Sequence, residues 1–495
     1  MVLGILQAVV SNYFPTQYAL HIAGGIVVAL FIRAFSQGRR TNRERDLHAR
    51  TILVTGGFTP LGITLLQSLA QRGTHIIALS PDPIDSANVT TLISLLRTTT
   101  SNEQIFAEHC DLTSPSSIRS FCTKFLTGKE QRLDAILFAH EYKHIGSPNI
   151  FSTSSVKIDQ KIRDSGSLAT FLISTLLLPA LLVAPVERDI RIINVVNPFY
   201  AAAAGIPFSP SFSYELSSPA PSSLFLREGH RSLRTVVFAR HLQRVLDALP
   251  TATQVPRTEE GTSAVPVVNS KVQKSNITTA SVSPGISRVD TISPLLNADW
   301  TSSFGYSYLG MILYLIFQPL LRLFTKSPTA AMQTILHALF LPTPFKVLAE
   351  ASSVTAEKKD TKSQGPIEAS HLEMPEEVLR PGSLYADCAV VKVKVKIFDE
   401  LREEEHSRQD SKTHSRKAKG RPSLKEEVLE IGDDGEYGGE LGGRLVWEAC
   451  ERALKIWEKE NPGPPPEEKA EPQSNPQATK PLESVKDSED QESVY

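Results

Sequence analysis

The run 51–62, TILVTGGFTPLG, carries the clearest chemistry in this chain. Ile52, Leu53 and Val54 give a short apolar strand signal. Thr55, Gly56 and Gly57 follow as a turn that needs no Cβ, and Gly62 lets a helix over 61–72 pack close to the strand. Backbone amides in such a turn, backed by the positive end of a helix dipole, suit a phosphate anion. Pro60 stands inside the turn, with no N–H to give and a fixed φ. An ordinary strand–turn–helix that binds nothing is the plain alternative.

The elements that would position this turn alternate along the chain. Strands are expected over 52–54, 75–79, 104–110, 135–138, 190–196 and 278–282. Between them the pattern predicts helices over 61–72, 88–97, 114–126, 167–183 and 228–249, with Ser114 as an N-cap. Such alternation argues an α/β fold, a Rossmann-like doubly wound parallel sheet covered on both faces. The valines at 391, 393 and 395 with Ile397 alternate with lysines and predict an edge strand facing water.

The bulk numbers exclude some classes. A net charge of -2 over 495 residues suggests no nucleic-acid partner. Cys110, Cys122, Cys388 and Cys450 are far apart and form no CxxC, so neither a metal site nor a disulfide framework is expected. No acidic or basic residue occurs from Val2 to Ile32, and Arg33, Arg39, Arg40, Arg43, Arg45 and Arg50 come next. This reads as an N-terminal membrane anchor over 1–36 with the following domain cytosolic. A second apolar stretch, 306–324, is interrupted by Pro319 and reads as a lipophilic helix that dips into the membrane.

Composition also suggests the domain layout. The main domain spans 48–398, with polar insertions at about 251–275 and 351–375. The remainder, 399–495, is charged and Pro-rich and reads as a tail dispensable to the core, mostly disordered. Within it, 445–457 forms a short amphipathic helix, which either docks on its own domain or binds a protein partner.

Taken in order, these pieces resemble the short-chain dehydrogenase/reductase family over residues 50–388. TILVTGGFTPLG is similar to its TGxxxGxG cofactor turn, with Pro60 where the second glycine belongs. HCDLTSPSSIRSF at 109–121 resembles the segment whose aspartate, here Asp111, lies near the adenine. LDAILFAH at 133–140 resembles the strand that ends in Asn-Asn-Ala-Gly, and RIINVVNP at 191–198 the strand that ends in the catalytic serine. SVSPGI at 281–286 resembles the Pro-Gly turn near the nicotinamide. KSPTAAMQTILHAL and GSLYADC, at 326–339 and 382–388, resemble the retinol-dehydrogenase-like branch. The anchor, insertions and tail resemble a divergent membrane-anchored fungal group of unknown function.

The resemblance implies NAD or NADP as cofactor, held by Thr55, Gly56, Gly57, Gly62, Asp111, Pro284 and Gly285. Asp82 stands about two residues late for choosing between the two. The family's chemistry needs a tyrosine acid, a lysine four residues on, a serine and an asparagine. Those positions fall here on Glu228, Ser232, Val196 or Asn197, and Gly166; shifting the helix by one gives Gly229 and Leu233. Replacement acid–base groups would come from Glu228, His140 or Tyr214, with His230 nearby. The expected function is a membrane-anchored, non-catalytic binding or scaffold module with residual nucleotide binding. The alternative is an active oxidoreductase on a lipophilic carbonyl or alcohol. The membrane would be the endoplasmic reticulum or the mitochondrial outer membrane.

Overall fold

The computed structural model describes residues 19–128, 132–152, 155–185, 188–213, 223–249, 276–299, 305–343, 377–398 and 433–462. Both polar insertions, Tyr214 and most of the tail lie outside them.

The strands are β1 Thr51–Thr55, β2 His75–Ser80, β3 Ile105–His109, β4 Ala135–Phe138, β5 Ile190–Val195, β6 Pro207–Phe208, β7 Ile277–Ser283, β8 Leu384–Ala386, β9 Ala389–Val391 and β10 Lys396–Ile397. The longer helices are α1 Ala19–Ser36, α2 Pro60–Ala70, α3 Ala87–Thr100, α4 Pro115–Thr127, α5 Val156–Leu182, α6 Leu224–Ala248, α7 Tyr308–Phe324, α8 Pro328–Phe340 and α9 Gly439–Glu460.

The main sheet runs β3-β2-β1-β4-β5-β7-β8-β9, parallel except for β9. Leu53 pairs with Ile77 on one side and Ile136 on the other, so the strand order reverses between β1 and β4. In open α/β sheets that reversal opens a crevice at the strands' C-terminal ends. Every residue of β1, β4, β5 and β7 is buried, as a sheet covered on both faces requires. On one face, Leu61, Leu65 and Leu69 of α2 join Ile335 and Leu339 of α8. On the other, Ile118 and Phe121 of α4, Phe171 of α5 and Phe238 of α6 form the core.

Three expectations need correction. The 391–397 strand is split: Val391 closes β9, while Lys396 and Ile397 pair parallel with β6 in a separate two-stranded sheet. Helix α5 begins at Val156, eleven residues before the expected start. Its first turns carry charges that read as surface, yet Arg163 and Asp164 are fully buried. Finally, the folded unit does not end at Phe398. Helix α9 buries Val446, Ala449, Cys450, Ala453 and Trp457 in the same core. Trp447 stands edge-on to Phe171 at 5.1 Å, and the Tyr437 hydroxyl donates to Val391 O at 2.8 Å. The apolar face proposed for a partner is thus covered by the chain's own domain.

Among the described residues one helix, α5, is long and apolar enough to cross a membrane, and it is mostly buried core. Helices α1 and α7 are apolar, shorter and exposed.

Candidate cofactor and catalytic site

The glycine turn has the geometry its sequence requires. Gly56 takes φ +67°, and a Cβ there would lie 2.6 Å from the backbone nitrogen of His140. A Cβ on Gly62 would run into the carbonyl oxygens of Gly56 and Gly57. The strand end and the helix start are therefore in backbone contact.

Three amides at the turn and helix start, those of Thr59, Gly62 and Ile63, are already engaged. Thr59 caps α2: its hydroxyl accepts from Gly62 N–H at 3.1 Å and donates to Gly56 O at 2.9 Å. Ile63 N–H donates to Thr59 O at 2.8 Å. Pro60 offers no donor. The remaining first-turn amide, Leu61 N–H, faces the carboxyl group of Asp290. Burial pushes the Asp290 carboxyl above its usual range, while Ser287, the Leu61 amide and Lys143 pull it back.

The other expected cofactor residues are placed as follows. Thr55 lies on the crevice floor, its hydroxyl 2.7 Å from His140 Nδ1. The Asp111 carboxylate accepts from Thr113 N–H and from its hydroxyl, each at 2.8 Å, closing a local turn. Gly285, after Pro284, adopts φ +98° and accepts from the Tyr142 hydroxyl at 2.8 Å. His144 N–H donates to Asp290 O at 3.0 Å, sewing the segment after β4 to the segment after β7. This arrangement does not fit a bound pyrophosphate: the helix N-terminus that should receive it has one proline, one hydroxyl cap and one aspartate.

The positions that the resemblance matches to the catalytic residues lie in or beside a buried polar network. Glu228, on α6, is fully buried and paired with Arg163 of α5 and with Arg231 one turn on, the latter at 3.1 Å. Burial would raise its pKa, but Arg231, His144 and Arg163 outweigh that and hold it below the ordinary carboxylate value. A carboxylate held ionised in this way has no proton to donate at neutral pH. Ser232, matched to the lysine in one of the two helix registers, is buried and its hydroxyl has no hydrogen-bond partner. Asn197 donates to Tyr142 O at 3.0 Å and caps Phe199 N–H at 3.1 Å.

His140 occupies the space beside Gly166. Its Nε2 lies 3.0 Å from Gly166 O and 3.3 Å from the Thr170 hydroxyl. Burial lowers its pKa, favouring the neutral ring. His140, just after β4, and Glu228, on α6, are thus each committed to neighbours. Tyr214 lies outside the described residues. His230 stacks on Phe208 at 5.7 Å, beside a cavity of about 230 Å³ that Arg227, Arg231 and Arg234 also line.

Sequence reading missed the partners: Arg163, Asp164, Arg231, Arg234, His144 and Asp290. Arg234 donates to Asp164 at 2.9 Å and lies over the Phe212 ring at 3.8 Å. A signal existed in the i, i+3, i+6 spacing of Glu228, Arg231 and Arg234 on one helix. No group of three or more metal-ligating side chains occurs among the described residues.

A family model described as a KR domain matches residues 50–141, which span β1 to the end of β4. An uncharacterized oxidoreductase of Saccharomyces cerevisiae is 26% identical over 74% of this chain and 80% of its own length. An uncharacterized oxidoreductase of Schizosaccharomyces pombe is 24% identical over 67% of this chain and 81% of its own. Retinol dehydrogenase 12 of Homo sapiens is 23% identical over 63% of this chain and 79% of its own.

Proposed function

This chain belongs to the short-chain dehydrogenase/reductase family, and from that premise we propose that it is a non-catalytic, membrane-associated member with at most residual nucleotide binding. The observation that carries the reading is the buried Glu228 held between Arg163 and Arg231 where the family's acid belongs. A reductase must protonate the alkoxide as hydride arrives, and acid–base help of that kind contributes about 10²–10⁴-fold. Glu228 is held ionised and out of solvent, and His140 is held neutral by burial. With the phenol–ammonium pair gone, the fold serves as a binding or scaffold module.

Membrane association has its support in two exposed apolar helices. Leu30, Phe31 and Phe35 of α1 and Leu315, Ile316 and Phe324 of α7 are exposed. The two helices meet near their C-terminal ends, where the Ser36 hydroxyl donates to Leu323 O at 2.7 Å. Both ends of α7 return to the α/β domain. Ser307 N–H donates to Asn297 O at 2.9 Å, and Lys326 N–H to Ile286 O at 3.0 Å. A helix tied at both ends to one body lies along the membrane surface rather than across it. The arginines that follow α1 favour a cytosolic domain on the endoplasmic reticulum or mitochondrial outer membrane.

A second reading is an oxidoreductase acting on a lipophilic carbonyl or alcohol through replacement residues. It is favoured by the retinol dehydrogenase relative and by the apolar α7. One experiment separates the two: NADH and NADPH oxidation by detergent-solubilised full-length protein, against a panel of aldehydes, ketones and retinoids. The non-catalytic reading expects no turnover above background. Turnover that disappears in a His140→Ala, Glu228→Gln or Tyr214→Phe protein that still melts cooperatively would establish the oxidoreductase and name its acid.

A further inference from the structure

We propose that Asp290 is an intramolecular occupant of the dinucleotide phosphate position, so that the chain itself closes the crevice to NAD(P). The inference rests on the reading that nucleotide binding is residual, and it assigns that property to one side chain.

The N-terminus of α2 follows the C-terminal end of β1, beside the reversal between β1 and β4. Its amides and dipole attract an anion there. Three facts place Asp290 in that role. It lies in the turn Arg288–Ile292 after β7, is 1% exposed, and its carboxyl group faces Leu61 N–H. One carboxylate oxygen accepts from the Ser287 hydroxyl at 3.2 Å, while the other is buried with no hydrogen-bond partner. A buried acid left partly unsatisfied at a helix N-terminus is stabilised by that helix end and costs free energy anywhere else nearby.

The turn is also fixed against withdrawal. His144 N–H holds Asp290 O, the Tyr142 hydroxyl holds Gly285 O, and Ser287 caps the turn through Val289 N–H and Asp290 N–H, both at 3.3 Å. A pyrophosphate entering this crevice meets a carboxylate where it needs donors, and like charges in one site disfavour each other. Pro60 has removed the neighbouring donor that could have compensated. The side chain thus supplies the negative charge that the glycine turn and helix dipole are built to receive.

The test is NADH and NADPH fluorescence titration of full-length, detergent-solubilised protein, wild type beside Asp290→Asn and Asp290→Ser, each with a thermal melt. Wild type is expected to show no saturable binding up to millimolar nucleotide. At least one variant with a cooperative melt is expected to gain saturable binding, at least tenfold tighter than wild type. If wild type itself saturates at micromolar nucleotide, both this inference and the residual-binding reading fail. If wild type and folded variants alike show none, the inference alone fails and Asp290 is not what excludes the nucleotide. If neither variant melts cooperatively, Asp290 is a structural residue of the turn and the proposal is overturned.

Discussion

Arg163 of α5 donates its Nε to the Glu228 carboxylate of α6, and both side chains are fully buried. Arg163 also donates to Ile145 O, and Arg231 reaches both Glu228 and Glu141 O. Helices α5 and α6 are thereby clamped to each other.

Removing one member of this network should therefore cost stability rather than activity. Glu228→Gln leaves Arg163 and Arg231 facing a neutral amide in a site without solvent. Breaking a buried pair from one side typically costs about 3–5 kcal/mol. The expected result is a lowered denaturation midpoint in urea with an unchanged slope. A Glu228→Gln protein as stable as wild type would show that the pair is not held as described.

Acid sensitivity follows from histidines buried in neutral form. Burial pushes His144 and His241 down to about 4. Between about pH 4 and 6.5 the unfolded chain then binds protons that the folded chain refuses, so stability falls as pH drops through this window. For the nearly fully buried His144 the full effect is on the order of 3 kcal/mol. Glu228, with its lowered pKa, adds a loss at still lower pH. Melting temperature measured from pH 7.5 to 5 should decline, and His241→Phe should flatten the decline. A flat profile in wild type would contradict the burial of these rings.

The parallel sheet was legible because its strands are apolar runs ended by turn residues, and all six expected parallel strands occur. The glycine turn was legible for the same reason: only glycine tolerates His140 across Gly56. The network was not legible. Arg163 and Asp164 look like surface charges on the first turns of α5, and their partners Glu228 and Arg234 lie 65 and 70 residues away. Sequence gives the type of Glu228 but not the two guanidiniums that settle its protonation. Nothing in the pattern around Asp290 marks it, because only the register of β7 against β5 brings its turn to α2. The amphipathic period of α9 was visible, but not that Trp447 packs on Phe171 and Phe238.

That packing puts α9 inside the folded core. Truncation at Phe398 would uncover Phe171 and Phe238 and strip Arg240 and Arg244 of Asp434. The truncated protein is expected to aggregate or to lose a cooperative melt. In the full-length chain, Trp457→Ala should cost about 3–5 kcal/mol, as for other large buried aromatic side chains. A truncated protein that melts like wild type would show that α9 is not part of the core.

The last prediction concerns α7. Its outer face presents Ile312, Leu315, Ile316 and Leu320 without cover, and both its ends are held by the domain. A helix of 17 residues is about 25 Å long, short of the roughly 30 Å hydrocarbon core, and tethered ends keep it parallel to the surface. Leu315→Glu with Leu320→Glu in the full-length protein should reduce the fraction retained on membranes after carbonate treatment without lowering the melting temperature. Depth can be read directly. The four native cysteines are buried, so a Leu315→Cys variant takes a fluorophore selectively. That fluorophore should be quenched by lipid-borne quenchers placed near the headgroups and little by those at the bilayer centre. Quenching from water alone, with membrane retention unchanged in the glutamate variant, would remove α7 from the membrane contact and leave the N-terminal segment as the sole anchor.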